Sequence, residues 1–155
     1  MMRMNPRGLA ILKHYEQGPQ GGPALYAYRC PAGKWTISWG VTEGVTAGMC
    51  ITPANAEKML VDAIAPREAA LNKLVQGAPT NANQFSAMLL LLYNIGADNF
   101  AGSTVLRKHR AQDYAGAAAA FASWNKAHVN SELVVLKGLT TRRAEEASLY
   151  ASTVL

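Results

Sequence analysis

Eleven residues, Phe85-Ser-Ala-Met-Leu-Leu-Leu-Leu-Tyr-Asn-Ile95, constrain this chain more than any other stretch. They are apolar almost all round, so a helix built from them has no face to offer water and must be enclosed by other elements. The uninterrupted apolar run, Ala87 to Tyr93, is far short of the roughly 20 residues that cross a bilayer. It reads as a buried central helix. Asn81 with Gln84 predicts a capping box at its start, and Gly96 a stop at its end.

The flanking sequence supplies the enclosure. Asn5-Pro6 predicts the start of a first helix over 5–16, with Leu9, Leu12 and Glu16 on one face. Gly18-Pro-Gln-Gly-Gly-Pro23 breaks it. Two strand-like segments follow, Leu25–Arg29 and Lys34–Trp39, joined by Pro31-Ala32-Gly33. In the second, Trp35, Ile37 and Trp39 alternate with Thr36 and Ser38, the pattern of a half-buried strand, so Thr36 is expected to point away from the tryptophan face. Everything after Thr52 reads as helical. One helix runs from Thr52-Pro53 to about Ile64, with Pro66 kinking or restarting it and Gly77 with Pro79 ending it. Three more follow the central helix, over 103–111, 113 to about 126, and 140 to about 152. The expectation is a mainly helical α+β fold: a small N-terminal β-hairpin region over about 24–50, and a helical lobe over about 52–155 joined by the first helix. No repeat or long linker divides the 155 residues, so a single domain is expected.

Half the residues are hydrophobic and only 16% are charged, which excludes a disordered chain. The net charge of +5 favours an anionic partner: nucleic acid, a membrane surface or a cell-wall polymer. Nucleic acid fits poorly, because the densest basic cluster, Arg107-Lys108-His109-Arg110, is short and holds no aromatic, and no binding motif accompanies it. The N-terminal stretch lacks the apolar core and cleavage site of a secretory signal. Cys30 and Cys50 form no metal-ligand pattern, and neither a metal nor a cofactor is implied.

One short region concentrates chemistry: Glu16, Cys30 and Thr36 follow one another among glycines, prolines and strand-forming aromatics. Cleaving a glycosidic bond requires a protonated carboxyl that can donate to the leaving oxygen, and a glutamate ending an apolar helix face suits that task. Taken alone, Glu16 reads as a helix-end surface residue ahead of a catalytic one. Cys30 alone reads as a small buried hydrophobe, or as the thiol of a Cys/His hydrolase, although His14, His109 and His128 form no pattern that selects a base. Thr36 alone is an ordinary strand residue.

The run "YE…ALYAYRCPAGKWTISWG" resembles the active-site segment of the phage-type lysozymes, glycoside hydrolase family 24. That family carries Glu, eight residues, Asp or Cys, five residues, then Thr. Five residues, PAGKW, separate Cys30 from Thr36 as the pattern requires; thirteen separate Glu16 from Cys30, and removing Gly18–Gly22 (GPQGG) restores the spacing, so that pentapeptide reads as a loop insertion. The likeness continues in order through "ITPANAEKML", "NQFSAMLLLLYNIG", "FAGSTVLRKHRAQDYAGAAAAFASW" and "KGLTTRRAEEASLY".

The resemblance implies a lysozyme-like fold and an endolysin that cleaves the β-1,4 bond between N-acetylmuramic acid and N-acetylglucosamine in peptidoglycan. Glu16 would be the general acid, Cys30 would stand where many members have aspartate, and Thr36 would complete the site. Asn94 could hold an acetamido group or Glu16, or simply cap its helix; Arg143 could pair with Glu16, or be a solvated helix charge. The resemblance further implies a monomer made in the host cytoplasm, with no stable membrane anchor, that reaches the wall through holin-type lesions. Two rivals stay open: a lytic transglycosylase, and a non-catalytic peptidoglycan-binding module. The chain departs from the family in the insertion and in Val41, where relatives carry histidine.

Overall fold

The computed structural model describes residues 1–152; the last three residues of the expected domain, 153–155, lie outside the described residues. The chain is mainly helical, with two small antiparallel hairpins. Packing groups it into two compact units, Leu9–Pro66, and Met1–Gly8 with Arg67–Leu155.

Helix α1 (Pro6–Tyr15), most of which belongs to the unit Leu9–Pro66, starts at Pro6 and is capped by the Asn5 side chain, which accepts from the Gly8 amide at 2.9 Å. Strands β1 (Ala24–Arg29) and β2 (Trp35–Ser38) pair antiparallel, with Tyr28 opposite Thr36 and Arg29 opposite Trp35. Cys30-Pro31-Ala32-Gly33 is the turn between them, closed by Gly33 N–H donating to the Cys30 carbonyl at 2.7 Å. Proline at the second turn position presets its φ, and Gly33 adopts φ +81° so that the chain can re-enter the ladder. The other side of β1 is covered by Met49–Ile51, through Ala27 N–H to the Met49 carbonyl and Ile51 N–H to the Leu25 carbonyl.

Strand β2 differs from the half-buried strand expected. Thr36, Ile37 and Ser38 are all buried, so both of its faces are covered. Trp39 also lies beyond the strand: Ser38 takes φ +59°, which ends the alternation before the second tryptophan. A tight reversal then returns the chain, with Ile37 and Val41 exchanging backbone hydrogen bonds at 2.9 Å. Helix α2 (Pro53–Leu74) is capped by Thr52 and, contrary to the predicted end near Ile64, continues through Pro66 as one helix. A single missing N–H is absorbed where the remaining ladder is intact.

In the other unit, α3 (Ala82–Ile95) is the central helix. The capping box is present, with Asn81 accepting from Gln84 N–H and the Gln84 side chain accepting from Asn81 N–H; Gly96 caps the far end. Every residue from Asn83 to Leu92 is buried, as the all-round apolar pattern requires. Its most extensive packing is against α7 (Lys137–Ala151). Along the chain, α4 (Ala97–Ala101), α5 (Thr104–Arg110) and α6 (Tyr114–Ala120) come between the two.

The helix expected over 113 to about 126 stops at Ala120 and passes through one 3-10 turn, Phe121–Ser123. A second hairpin follows, β3 (Lys126–Val129) with β4 (Glu132–Val135), and α7 begins at Lys137, ahead of the predicted Thr140. Its two-residue turn places Asn130 and Ser131 at φ +50° and +68°, the primed geometry that matches strand twist.

Buried His109 joins α5 to α7. Thr80 donates its hydroxyl proton to the Ala78 carbonyl at 2.7 Å, so it must accept from His109 Nε2–H, also at 2.7 Å. Nδ1 is then the acceptor, and the Tyr150 hydroxyl donates to it at 2.6 Å. Burial pushes the His109 imidazole down to about 4. An imidazole easier to protonate when unfolded removes stability as pH falls from about 6.5 through about 4. Urea unfolding should show this loss, and His109→Gln, though less stable at pH 7, should lack that part of the slope; equal slopes in both proteins would contradict the assignment.

Candidate active site

Glu16, Cys30 and Thr36 all fall in the unit Leu9–Pro66, whereas Asn94 and Arg143 belong to the other. Glu16 sits one residue past α1 and continues its ladder, with its N–H donating to the Leu12 carbonyl at 2.9 Å. The end of the helix is fixed by Lys13, whose Nζ forms an ion pair with Glu57 at 2.7 Å and lies 4.5 Å from the Trp39 ring centroid.

The half-buried Glu16 carboxylate rests on the backbone of Gly40, just past β2. A Cβ at residue 40 would overlap Glu16 Oε2 and lie 3.1 Å from its Cδ. Gly40 also takes φ +71°, which side-chain-bearing residues adopt only with strain. Both the space and the backbone conformation therefore demand glycine. Ser38 holds this reversal in place, its buried hydroxyl donating to the Ala56 carbonyl of α2 at 2.7 Å.

Thr36 and Cys30 meet across the hairpin end. The Cys30 N–H donates to the Lys34 carbonyl at 2.9 Å, making Cys30 and Lys34 the closing pair of the turn. Cys30 lies two residues beyond Tyr28, and Thr36 is the cross-strand partner of Tyr28, so all three side chains share one sheet face. Burial pushes the Cys30 thiol up, but hydrogen bonds from the Lys34 backbone, the Thr36 side chain and the turn backbone outweigh it and hold the thiol below its usual value. The Thr36 hydroxyl carries one proton and also donates to the Lys34 carbonyl at 2.9 Å. With a neutral thiol the hydroxyl stays turned to the Lys34 carbonyl; with a thiolate it can turn to sulfur.

Tyr28 is a member of the site that sequence reasoning missed. Burial raises its phenol, and the negative charges of Glu16 and Cys30 raise it further, which locates the ring in the field of both groups. The signal was available: a residue two before Cys30 in a strand must share its face. Cys50, on the segment flanking β1, is exposed, and both cysteines are free.

Arg143 is buried, which overturns the solvated-charge reading. Its Nη1 donates to Glu146 at 3.0 Å and its Nη2 donates to Asn94 Oδ1, while Arg142 Nε donates to the same Glu146 carboxylate at 3.2 Å. Asn94 does not cap α3, since Gly96 does, and it is exposed in the last helical turn. Val41, in place of the family's histidine, is buried in the apolar interior of its unit, where an imidazole would need a partner.

The Glu16–Gly40 contact carries a prediction. Gly40→Ala should destabilise the protein by about 1–3 kcal/mol in urea unfolding and displace the Glu16 side chain. An alanine variant of unchanged stability would show that the contact is looser than described.

The profile of the phage lysozyme family matches residues 20–146, a span that includes Cys30 and Thr36 and begins just after Glu16. The endolysin of Acyrthosiphon pisum secondary endosymbiont phage 1 is 40% identical over 151 residues, covering 97% of this chain and 99% of the relative. Among solved structures, the muramidase domain of SpmX from Asticaccaulis excentricus superposes with a TM-score of 0.88 at 31% identity, covering 99% of this chain and 100% of that one. The endolysin of Escherichia coli O157:H7 phage FAHEc1 gives 0.87 at 35% identity, covering 99% and 96%. Matched along nearly its whole length, in sequence and in fold, this chain belongs to the phage lysozyme family.

Proposed function

We propose that this chain, a peptidoglycan-lysing endolysin by family, hydrolyses the β-1,4 bond between N-acetylmuramic acid and N-acetylglucosamine, with Glu16 as general acid and Cys30 and Thr36 handling the water. The observation that carries this reading is the seating of the Glu16 carboxylate on Gly40, just past the strand that bears Thr36, with Cys30 and Thr36 on one face of the same hairpin end.

Glu16 donates its proton to the glycosidic oxygen as the bond to the anomeric carbon breaks. A water held by the Thr36 hydroxyl attacks that carbon and passes a proton to the Cys30 sulfur. Donors around the sulfur favour its anionic form, so more of it is deprotonated and able to accept a proton than in an ordinary thiol, although each thiolate is the weaker base for it. Glu16 is left as a carboxylate and regains its proton from solvent, and Cys30 returns its own.

The positive charge of +5 suits a polyanionic wall. Accumulation as a monomer in the host cytoplasm and passage to the wall through holin-type lesions belong to the same proposal. No helix among the described residues is long and apolar enough to cross a membrane.

Turbidity clearing of outer-membrane-permeabilised cells tests the roles. Glu16→Gln should lose at least about 100-fold, the low end for a general acid. Thr36→Val and Cys30→Ser should each lose at least about tenfold, while Cys30→Asp should retain activity, because a carboxylate can accept the same proton. Undiminished clearing by Glu16→Gln would end the proposal.

A further inference from the structure

The pentapeptide Gly18–Gly22, extra to the family spacing, is not a loose appendage. It closes on itself, with Gly18 N–H donating to the Gly22 carbonyl at 2.8 Å and Gly21 N–H to the Gly18 carbonyl at 3.0 Å. Gln17 ties it to α1: its Nε2 donates to the His14 carbonyl at 2.9 Å and its Oε1 accepts from Gly22 N–H at 3.4 Å. Gly18 is buried against Ala24, where a Cβ would come within 2.8 Å of the alanine methyl. The loop therefore stands as a preformed wall beside β1.

Between this wall and the strand is a cavity of about 360 Å³, within the range of small-molecule sites. Pro19, Gln20 and Gly21 form one side; Pro23, Tyr26 and Tyr28 contribute to the other. Tyr26 is 75% exposed, a large aromatic that strand packing leaves open to solvent. Tyr28 connects the cavity to the candidate site, since it lines the cavity and stands opposite Thr36 across the hairpin.

The lining holds no charged side chain. An anionic group entering it would lose water without gaining a cation, which is costly. What the lining does offer is the Gln20 amide, two phenols, backbone amides and aromatic surface, which match a neutral ring bearing hydroxyls and an acetamido group. In a strand alternating N-acetylglucosamine with lactyl- and peptide-bearing N-acetylmuramic acid, only the first is neutral. Resting on the proposed function, we propose that the inserted loop and β1 form a glycan subsite that holds an N-acetylglucosamine residue, with Tyr26 as its platform and Gln20 as its amide partner.

The test is binding of the β-1,4-linked trisaccharide of N-acetylglucosamine, followed by NMR or tryptophan fluorescence in a Glu16→Gln background that prevents turnover. The expected result is saturable binding, weakened at least fivefold by Tyr26→Ala and at least threefold by Gln20→Ala, with melting temperatures unchanged because both side chains are exposed. With Glu16 intact, the same substitutions should place their loss on KM for wall substrate rather than on kcat. Failure of the trisaccharide to bind, unchanged affinity in both variants, or preferential binding of muramyl dipeptide would overturn the subsite. Undiminished lysis by Glu16→Gln would instead sink the proposed function and leave the binding result standing.

Discussion

The contact of the Glu16 carboxylate with the bare backbone of Gly40 is the constraint around which the unit Leu9–Pro66 is arranged. A carboxylate can approach a main chain this closely only where no Cβ intervenes, and Gly40 meets that need while also supplying a positive φ. The neighbouring interactions serve the same geometry. Lys13 spans Glu57 and Trp39 and fixes the end of α1. Ser38 bonds to α2 and fixes the chain reversal. Glu16 is thus held from both of the elements it lies between.

The hairpin end is the chemical counterpart. A thiol is a poor substitute for a carboxylate unless its surroundings favour the anion. Here the Pro-Ala-Gly turn aims backbone donors at the sulfur, and the cross-strand register brings a hydroxyl to it. The hydroxyl's single proton gives the pair two states, one bonded to Lys34 and one turned to sulfur, as the threonine would need if it both positions water and supports the proton acceptor. The Arg142–Arg143–Glu146 cluster is a different kind of feature. It is buried within the helical unit, where the single Glu146 carboxylate accepts from both arginines.

Much of this was legible in the sequence where a local rule decides the outcome. The all-round apolar run of α3 and its capping box, the proline start of α1 and the Pro-Ala-Gly turn are each set by neighbours a few residues apart. The second hairpin was missed because Asn130-Ser131 is a weaker turn signal than Asn-Gly, and the alanine-rich stretch before it extended the helical reading. The length of α2 was misjudged because one proline was weighed above intact ladders on either side. Burial of Thr36 and Ser38 on the second face of β2, and of Arg143 within α7, depends on partners far along the chain. Periodicity in one element cannot supply that. Spacing and resemblance single out Glu16, Cys30 and Thr36 as candidates; Tyr28 and Gly40, which touch or face them, needed the hairpin register and the packed backbone.

The central claim is that a proton leaves Glu16 for the sugar oxygen while Cys30 and Thr36 deliver water to the anomeric carbon. Digestion of purified peptidoglycan in ¹⁸O-water, followed by mass spectrometry of the muropeptides, tests it most directly. The account predicts reducing N-acetylmuramic ends carrying one ¹⁸O at the anomeric position. Unlabelled 1,6-anhydro ends would show that the sugar's own hydroxyl, not water, closes the reaction, and would remove the role assigned here to the thiol and the hydroxyl.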